Sequence, residues 1–171
     1  MELLRSLRQL LAEIGWFLGF YFLPWDAGRR WLLLRKVKSV GTGCKYEVGL
    51  RVFGGDQVYI GDNVRLVDTL LNVIGAEIHI EDEAFFGHRV MLLTGTHDYH
   101  IFGVDRQHAI SGKPICIGRG AWIGSGAIVL GGVCVGAGAV VAAGSVVIHD
   151  VPPFTVAAGV PARVVKNIPH G

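Results

Sequence analysis

The sequence predicts an all-β solenoid, a parallel β-helix of about five coils, and three observations predict it. Branched apolar residues stand at Ile117, Ile123, Val129, Val135, Val141 and Val147, six apart without a break. Glycine is abundant, 25 of 171 residues, yet it is scattered through apolar sequence instead of being gathered into a polar linker. One polar, histidine-bearing stretch, between Leu92 and Ile117, interrupts the period.

The period decides the class. A helix needs apolar spacings of three and four, and a half-buried flat strand needs strict alternation, so neither produces an intact six-residue repeat. Four residues after the first five repeat positions come Ala121, Ala127, Val133, Ala139 and Ser145, and the unit reads [I/V]-G-x-x-[A/V]-x. A solenoid explains this unit, because each short strand sends one aliphatic residue inward before the chain turns a corner that glycine tolerates. A β-sandwich would space its turns 8 to 12 residues apart.

The same phase runs upstream through Val40, Tyr46, Val52 and Val58, then Ile74, Ile80, Phe86 and Leu92, followed four residues later by Ile78, Ala84, Val90 and Thr96. Slips near Ile60 and between Leu66 and Ile74 read as small loop insertions. About sixteen strand-sized units fill residues 35–150, or about five coils of eighteen residues stacked about 4.8 Å apart. Residues 97–114, within THDYHIFGVDRQHAISGKP, form a loop thrown out of the solenoid, and loops carried on a rigid scaffold are where chemistry tends to sit.

Residues 1–34 form a separate segment. Leu4, Leu7, Leu11 and Ile14 favour a helix that runs into the cluster Trp16, Phe17, Phe20, Tyr21 and Phe22 and ends or kinks at Pro24. The uncharged stretch from Ile14 to Trp25 is shorter than the roughly twenty residues needed to span a bilayer, and no small-residue cleavage site follows it. Two readings stay open: a cap on the open solenoid end, or a membrane-interface segment with Arg29, Arg30, Arg35, Lys36 and Lys38 near anionic lipid. Residues 151–171 leave the period at Pro152 and Pro153 and are expected to pack back along the last coil.

Composition excludes some functions. A net charge of +2 and a pI near 8.5, with no basic stripe interleaved with aromatics, argue against nucleic acid as partner. Cys44, Cys116 and Cys134 have no zinc spacing and read as reduced, buried thiols of a cytoplasmic protein.

The units IGRGAW, IGSGAI, VLGGVC, VGAGAV and VAAGSV, followed by DVPPFTVAAGVPARVVK, resemble the hexapeptide-repeat acyltransferases, among them galactoside, maltose and surface-polysaccharide O-acetyltransferases. The resemblance covers about residues 40–168. It implies a left-handed β-helix, since the period alone is silent on handedness. It also implies homotrimers with active sites between subunits, and acetyl-CoA as co-substrate without a metal. His97, after TGT at the start of the loop, falls at the family's catalytic histidine. Trp122 matches a tryptophan of the acceptor or coenzyme pocket, and Ser125, Ala143, Arg163 and Lys166 match positions lining the coenzyme channel. His149 departs from a lysine that relatives often carry before the D-[IV]-P-P turn. Asn72 lies near an asparagine that binds sugar in some relatives.

Acyl transfer to a hydroxyl needs a base near neutrality, which histidine supplies, and donors for the developing oxyanion, for which backbone N–H groups or the Ser125 hydroxyl serve. No serine or cysteine nucleophile with a neighbouring base is evident, so direct transfer is expected. Phase also sets His79 eighteen residues before His97, on the same edge of successive coils and in reach of the acceptor. With His88 and His100 nearby, a zinc cluster of the carbonic anhydrase type is the alternative to a polar ladder. The expected function is O-acetylation of a sugar in bacterial surface polysaccharide synthesis, in the cytoplasm or at the inner membrane face. N-acetylation of a nucleotide-linked amino sugar or an antibiotic, and a catalytically silent scaffold, are the other readings.

Overall fold

The computed structural model describes residues 35–46 and 49–169. The predicted N-terminal helix and the aromatic and apolar stretch through Trp25 lie outside the described residues. The chain winds as a triangular parallel β-helix. The first turn is β1 (Ser39–Val40), β2 (Lys45–Tyr46) and β3 (Arg51–Phe53), and the second is β4 (Val58–Ile60), β5 (Arg65–Leu66) and β6 (Leu70–Asn72). The third turn is β7 (Ile78–Ile80), β8 (Phe85–Phe86) and β9 (Met91–Leu93). An excursion, β10 (Gly95–His97) and β11 (Ile110–Gly112), separates it from the fourth: β12 (Ile115–Ile117), β13 (Trp122–Ile123) and β14 (Ile128–Leu130). The fifth is β15 (Cys134–Val135), β16 (Val140–Val141) and β17 (Val146–Val147), and β18 (Thr155–Gly159) begins a sixth before β19 (Ala162–Asn167) folds back on it.

Strands three apart within the coils stack into three faces. The first face is β1-β4-β7-β12-β15, the second β2-β5-β8-β13-β16-β18-β19, and the third β3-β6-β9-β14-β17. The stacking is parallel throughout except for the last hairpin, β18 with β19, which pairs antiparallel at the end of the second face. Five turns are complete, as the period predicts, and the Val135–Val151 bridge opens an incomplete sixth.

The six-residue repeat is the inward face of this helix. Ile117, Ile123, Val129, Val135, Val141 and Val147 are all buried, as are Ala121, Ala127, Val133, Ala139 and Ser145. Gly120, Gly126, Gly132, Gly138 and Gly144, also six apart, hold positive φ at the corners. At Gly138 the requirement is double: φ is +62°, and a Cβ there would meet the Phe154 ring at 2.6 Å. The upstream slips are longer corners. Trp122 pairs with Val140, eighteen residues on, whereas Ser39 pairs with Tyr59, twenty on, and Leu70 with Met91, twenty-one on.

Two expectations from the phase are corrected. Thr96 is exposed, not inward, and Ile115 takes the inward place. His79 pairs in register with Tyr59 and Cys116, so His97 is not its neighbour in the next coil. The excursion is the cause: the strand at the expected eighteen-residue spacing leaves the ladder, and the chain re-enters it at β12. The thiols also differ from expectation, since Cys44 is buried but Cys116 is half-buried and Cys134 exposed.

Candidate active site

The excursion is built on a corner between the third and first faces. Buried Thr94 anchors it: its Oγ1 accepts the Ile74 N–H at 2.7 Å, and its carbonyl accepts the Lys113 N–H at 3.0 Å as the chain returns. Gly95 and Gly112 pair at the foot, where a Cβ would strike the Ile74 side chain at 2.6 Å in one case and the Ile74 carbonyl oxygen in the other. Only glycine lets both feet pass this residue.

His97 ends the outgoing strand, paired with Ile110 and exposed. Its Nδ1 lies 2.9 Å from the Arg106 carbonyl oxygen, in the short 3₁₀ turn Gly103–Gln107. A carbonyl only accepts, so Nδ1 carries the proton and Nε2 presents a lone pair outward. The Arg106 side chain is tied to the same loop, its Nε and Nη2 donating to the carbonyls of Ile101 and Tyr99. The loop therefore orients the imidazole through backbone groups alone. Asp98 takes no part in this: its carboxylate accepts the His100 N–H at 2.9 Å and braces the turn.

Ser125 and Ala143 lie at a different corner, between the second and third faces, one coil apart. The Gly144 N–H donates to the Ser125 carbonyl at 2.9 Å, and a Cβ on Gly124 would meet the Ala143 nitrogen at 2.6 Å. Both residues are exposed. The His88 N–H donates to Ser125 Oγ at 3.1 Å, which leaves the Ser125 hydroxyl proton free to donate outward. Trp122 stands three residues earlier on the outer second face, stacked on Phe85 with ring centroids 5.6 Å apart. Trp122, Val140, Val156 and Lys166 follow in register across neighbouring strands, setting Lys166 about 14 Å from Trp122 along the helix. Arg163 lies on the same terminal strand, exposed, with its Nη1 donating to the Ala162 carbonyl at 2.9 Å.

Asn72 and His79 sit elsewhere. Asn72 is half-buried on the outer third face between Phe53 and Leu93, its carbonyl accepting the Thr94 N–H at 3.1 Å. His79 is on the outer first face, stacked on Tyr59 at 4.6 Å, with Nε2 2.8 Å from Glu77 Oε2. This contact and the Tyr59 hydroxyl hold the Glu77 carboxyl below its ordinary range. Among the described residues, no group of three or more His, Cys, Asp or Glu is gathered so as to hold a metal.

One chain thus holds His97 at one corner and Ser125 with Ala143 at another. From Ser125 to Gly131, which packs directly on the Thr94 carbonyl at the excursion's foot, the third face runs for roughly 20 Å. Proton transfer needs heavy atoms about 3 Å apart.

No family model matches the chain. Nodulation protein L of Rhizobium leguminosarum bv. viciae is 37% identical over 167 residues, spanning 91% of this chain and 83% of that protein. The chain belongs to the hexapeptide-repeat acyltransferase family. Galactoside O-acetyltransferase of Escherichia coli strain K12 is 32% identical over 146 residues, 85% of this chain and 71% of its own length. The crystal structure of a hexapeptide-repeat acetyltransferase from Vibrio cholerae complexed with acetyl-CoA superimposes with a TM-score of 0.78 and 29% identity, covering 93% of this chain and 86% of that one.

This acyltransferase is therefore a CoA-dependent enzyme, and its structure adds residues that sequence reasoning missed. The Arg106 carbonyl sets the His97 tautomer, a backbone role that leaves no mark on residue type. Phe85 backs Trp122, and here a signal existed: the two are one coil plus the excursion apart. Cys116 occupies the place in the next coil beside His79 that phase had assigned to His97, and Tyr59 and Glu77 engage the ring.

Proposed function

We propose that the enzyme is an acetyl-CoA-dependent O-acetyltransferase acting on a sugar hydroxyl, with His97 as general base and with direct transfer. His97 Nε2 takes the hydroxyl proton as the oxygen attacks the thioester carbonyl. The tetrahedral oxyanion that forms is met by backbone N–H groups or the Ser125 hydroxyl. Collapse of the intermediate breaks the carbon–sulfur bond, and the proton held on Nε2 passes to the departing coenzyme thiolate. Ser125 and Ala143 line the thioester end of the coenzyme, while Arg163 and Lys166 take its phosphates as charge-assisted donors. Of the residues expected at the acceptor, Asn72, bonded to Thr94 at the foot of the excursion, is the one beside the His97 corner, whereas Trp122 and His79 lie on the second and first faces. No step calls for a metal.

The observation that carries this reading is the bond from His97 Nδ1 to the Arg106 carbonyl, which leaves Nε2 as the only ring nitrogen able to accept a proton. The O-acetyl assignment draws on the name of the E. coli relative.

The active assembly in this reading is a homotrimer with sites between subunits. Two observations support it. Above Arg51 and Asn72 the outer third face is apolar, with Leu70, Met91, Ile128 and Val146 in one column beside Leu93 and Leu130, a dress suited to strands covered on both sides. The corners bearing His97 and Ser125 flank that face, so a second copy seated there brings one chain's base to the other's coenzyme corner. The pathway we assign is surface polysaccharide synthesis, in the cytoplasm or at the inner membrane face, with residues 1–38 as the membrane contact.

The test is release of free coenzyme A from acetyl-CoA across a panel of sugar acceptors. His97→Ala lowers kcat by about 10²–10⁴-fold with the KM for acetyl-CoA nearly unchanged. Retained turnover in that variant defeats the assigned base.

A further inference from the structure

The outer first face carries a pair of thiols that acyl transfer does not use. β12 and β15 are adjacent parallel strands, and their register sets Cys116 directly against Cys134. Ile115, Ile117 and Val135 beside them are fully buried, so alternation turns both thiols outward. Cys116 is half-buried, Cys134 is exposed, and the two share a hydrogen bond. The neighbours in this column are occupied. His79, in register with Cys116 on its other side, is stacked on Tyr59 and bonded to Glu77, and Asp150 Oδ1 accepts the Cys134 N–H at 2.7 Å. What remains free is thiol beside thiol.

Spacing decides what the pair can hold. Neighbouring strands stand about 4.7–4.9 Å apart, so in-register cysteines project side by side and one inserted atom can bridge their sulfurs. Partial desolvation, with the Cys116 hydrogen bond, pushes the Cys134 thiol up to about 11, so Cys134 holds its proton at neutral pH and gives it up only with the oxygen it displaces.

We infer that Cys116 and Cys134 form a vicinal dithiol site for thiophilic trivalent arsenicals, held by two arsenic–sulfur bonds that bridge the fourth and fifth coils. The step balances without an oxidant. The two bonds from arsenic to its oxygen are replaced by two bonds to sulfur, the oxygen leaves as water with both thiol protons, and neither arsenic nor sulfur changes oxidation state. The site is on a different face from the Ser125 corner and does not depend on the proposed reaction.

Phenylarsine oxide titrated into the reduced, full-length protein is the test. Intact mass spectrometry is expected to give one adduct per chain with loss of one water, and the count of maleimide-reactive thiols falls by two. 2,3-Dimercaptopropanol reverses both. Cys116→Ser or Cys134→Ser weakens the adduct by about a hundredfold or more, because a single thiol forfeits the second, intramolecular bond. An unchanged maleimide count after arsenical treatment of the wild type overturns the inference, and so does a single variant that keeps wild-type affinity. The wild-type count needs no variant, so the inference stays refutable even if a serine variant misfolds.

Discussion

The proposed division of the site between copies makes a sharp prediction about mixtures of two inactive proteins. One variant, His97→Ala, lacks the base. The other, Ala143→Trp, fills the exposed corner one coil above Ser125 with a bulky ring, while its His97 hairpin stays intact. Each alone is expected to lose activity by about 10²–10⁴-fold, the first for want of proton transfer and the second for want of a seated thioester. Within one chain the two groups stand at opposite ends of roughly 20 Å of strand, far beyond the reach of proton transfer. When the variants are unfolded together in equal amounts and refolded, chains assort at random. A working site needs the His97 hairpin of an Ala143→Trp chain beside the Ser125 corner of a His97→Ala chain. That arrangement arises with probability one half times one half, so about a quarter of wild-type activity should return in a closed heterologous ring. Coenzyme A release measured against mixing ratio should peak at equal amounts. Additive, near-zero activity at every ratio would refute the split site.

Further consequences follow from the same geometry. Ile128→Arg on the outer third face should yield a monomer by analytical ultracentrifugation, with the far-ultraviolet spectrum of a β-helix retained and turnover lost. Arg163→Ala with Lys166→Ala should raise the KM for acetyl-CoA about tenfold and change kcat little, with a smaller effect on a donor lacking the nucleotide, since the removed groups meet phosphate. Ile117→Ala empties a fully buried position in the fourth coil and should cost about 2–5 kcal/mol in denaturant unfolding. Glu83 and Arg119 pair at 2.7 Å, and this bond holds the Glu83 carboxyl below its ordinary 4.5. The stabilisation is present above that value and lost as pH falls through the lowered one. The small difference in Tm between wild type and Glu83→Gln should therefore be seen near neutrality and fade as pH falls below 4.5.

The legible part of the fold was the part where local rules repeat. From Ile117 to Val147, every predicted inward residue is buried, because an eighteen-residue coil superimposes like on like and a misfit would recur in each turn. Upstream, where coils stretch to twenty residues, the phase drifted by the length of each corner. It failed at Thr96 for a definite reason. A hairpin can leave a corner without disturbing the ladder on either side, and the period does not say which stretch stays. The misplaced neighbour of His79 has the same origin.

By itself the sequence determined the solenoid, the site of its interruption and the residue types that acyl transfer requires, since periodicity and glycine placement are local properties that each coil enforces on the next. Tertiary structure alone decided which nitrogen of His97 is free, because that rests on a backbone carbonyl nine residues away that any side chain could accompany. It alone decided that His97 and the Ser125–Ala143 pair occupy opposite corners of one face, because spacing along the chain says nothing about distance across a coil. It also put Cys116 against Cys134, a neighbour relation set by strand register across the helix.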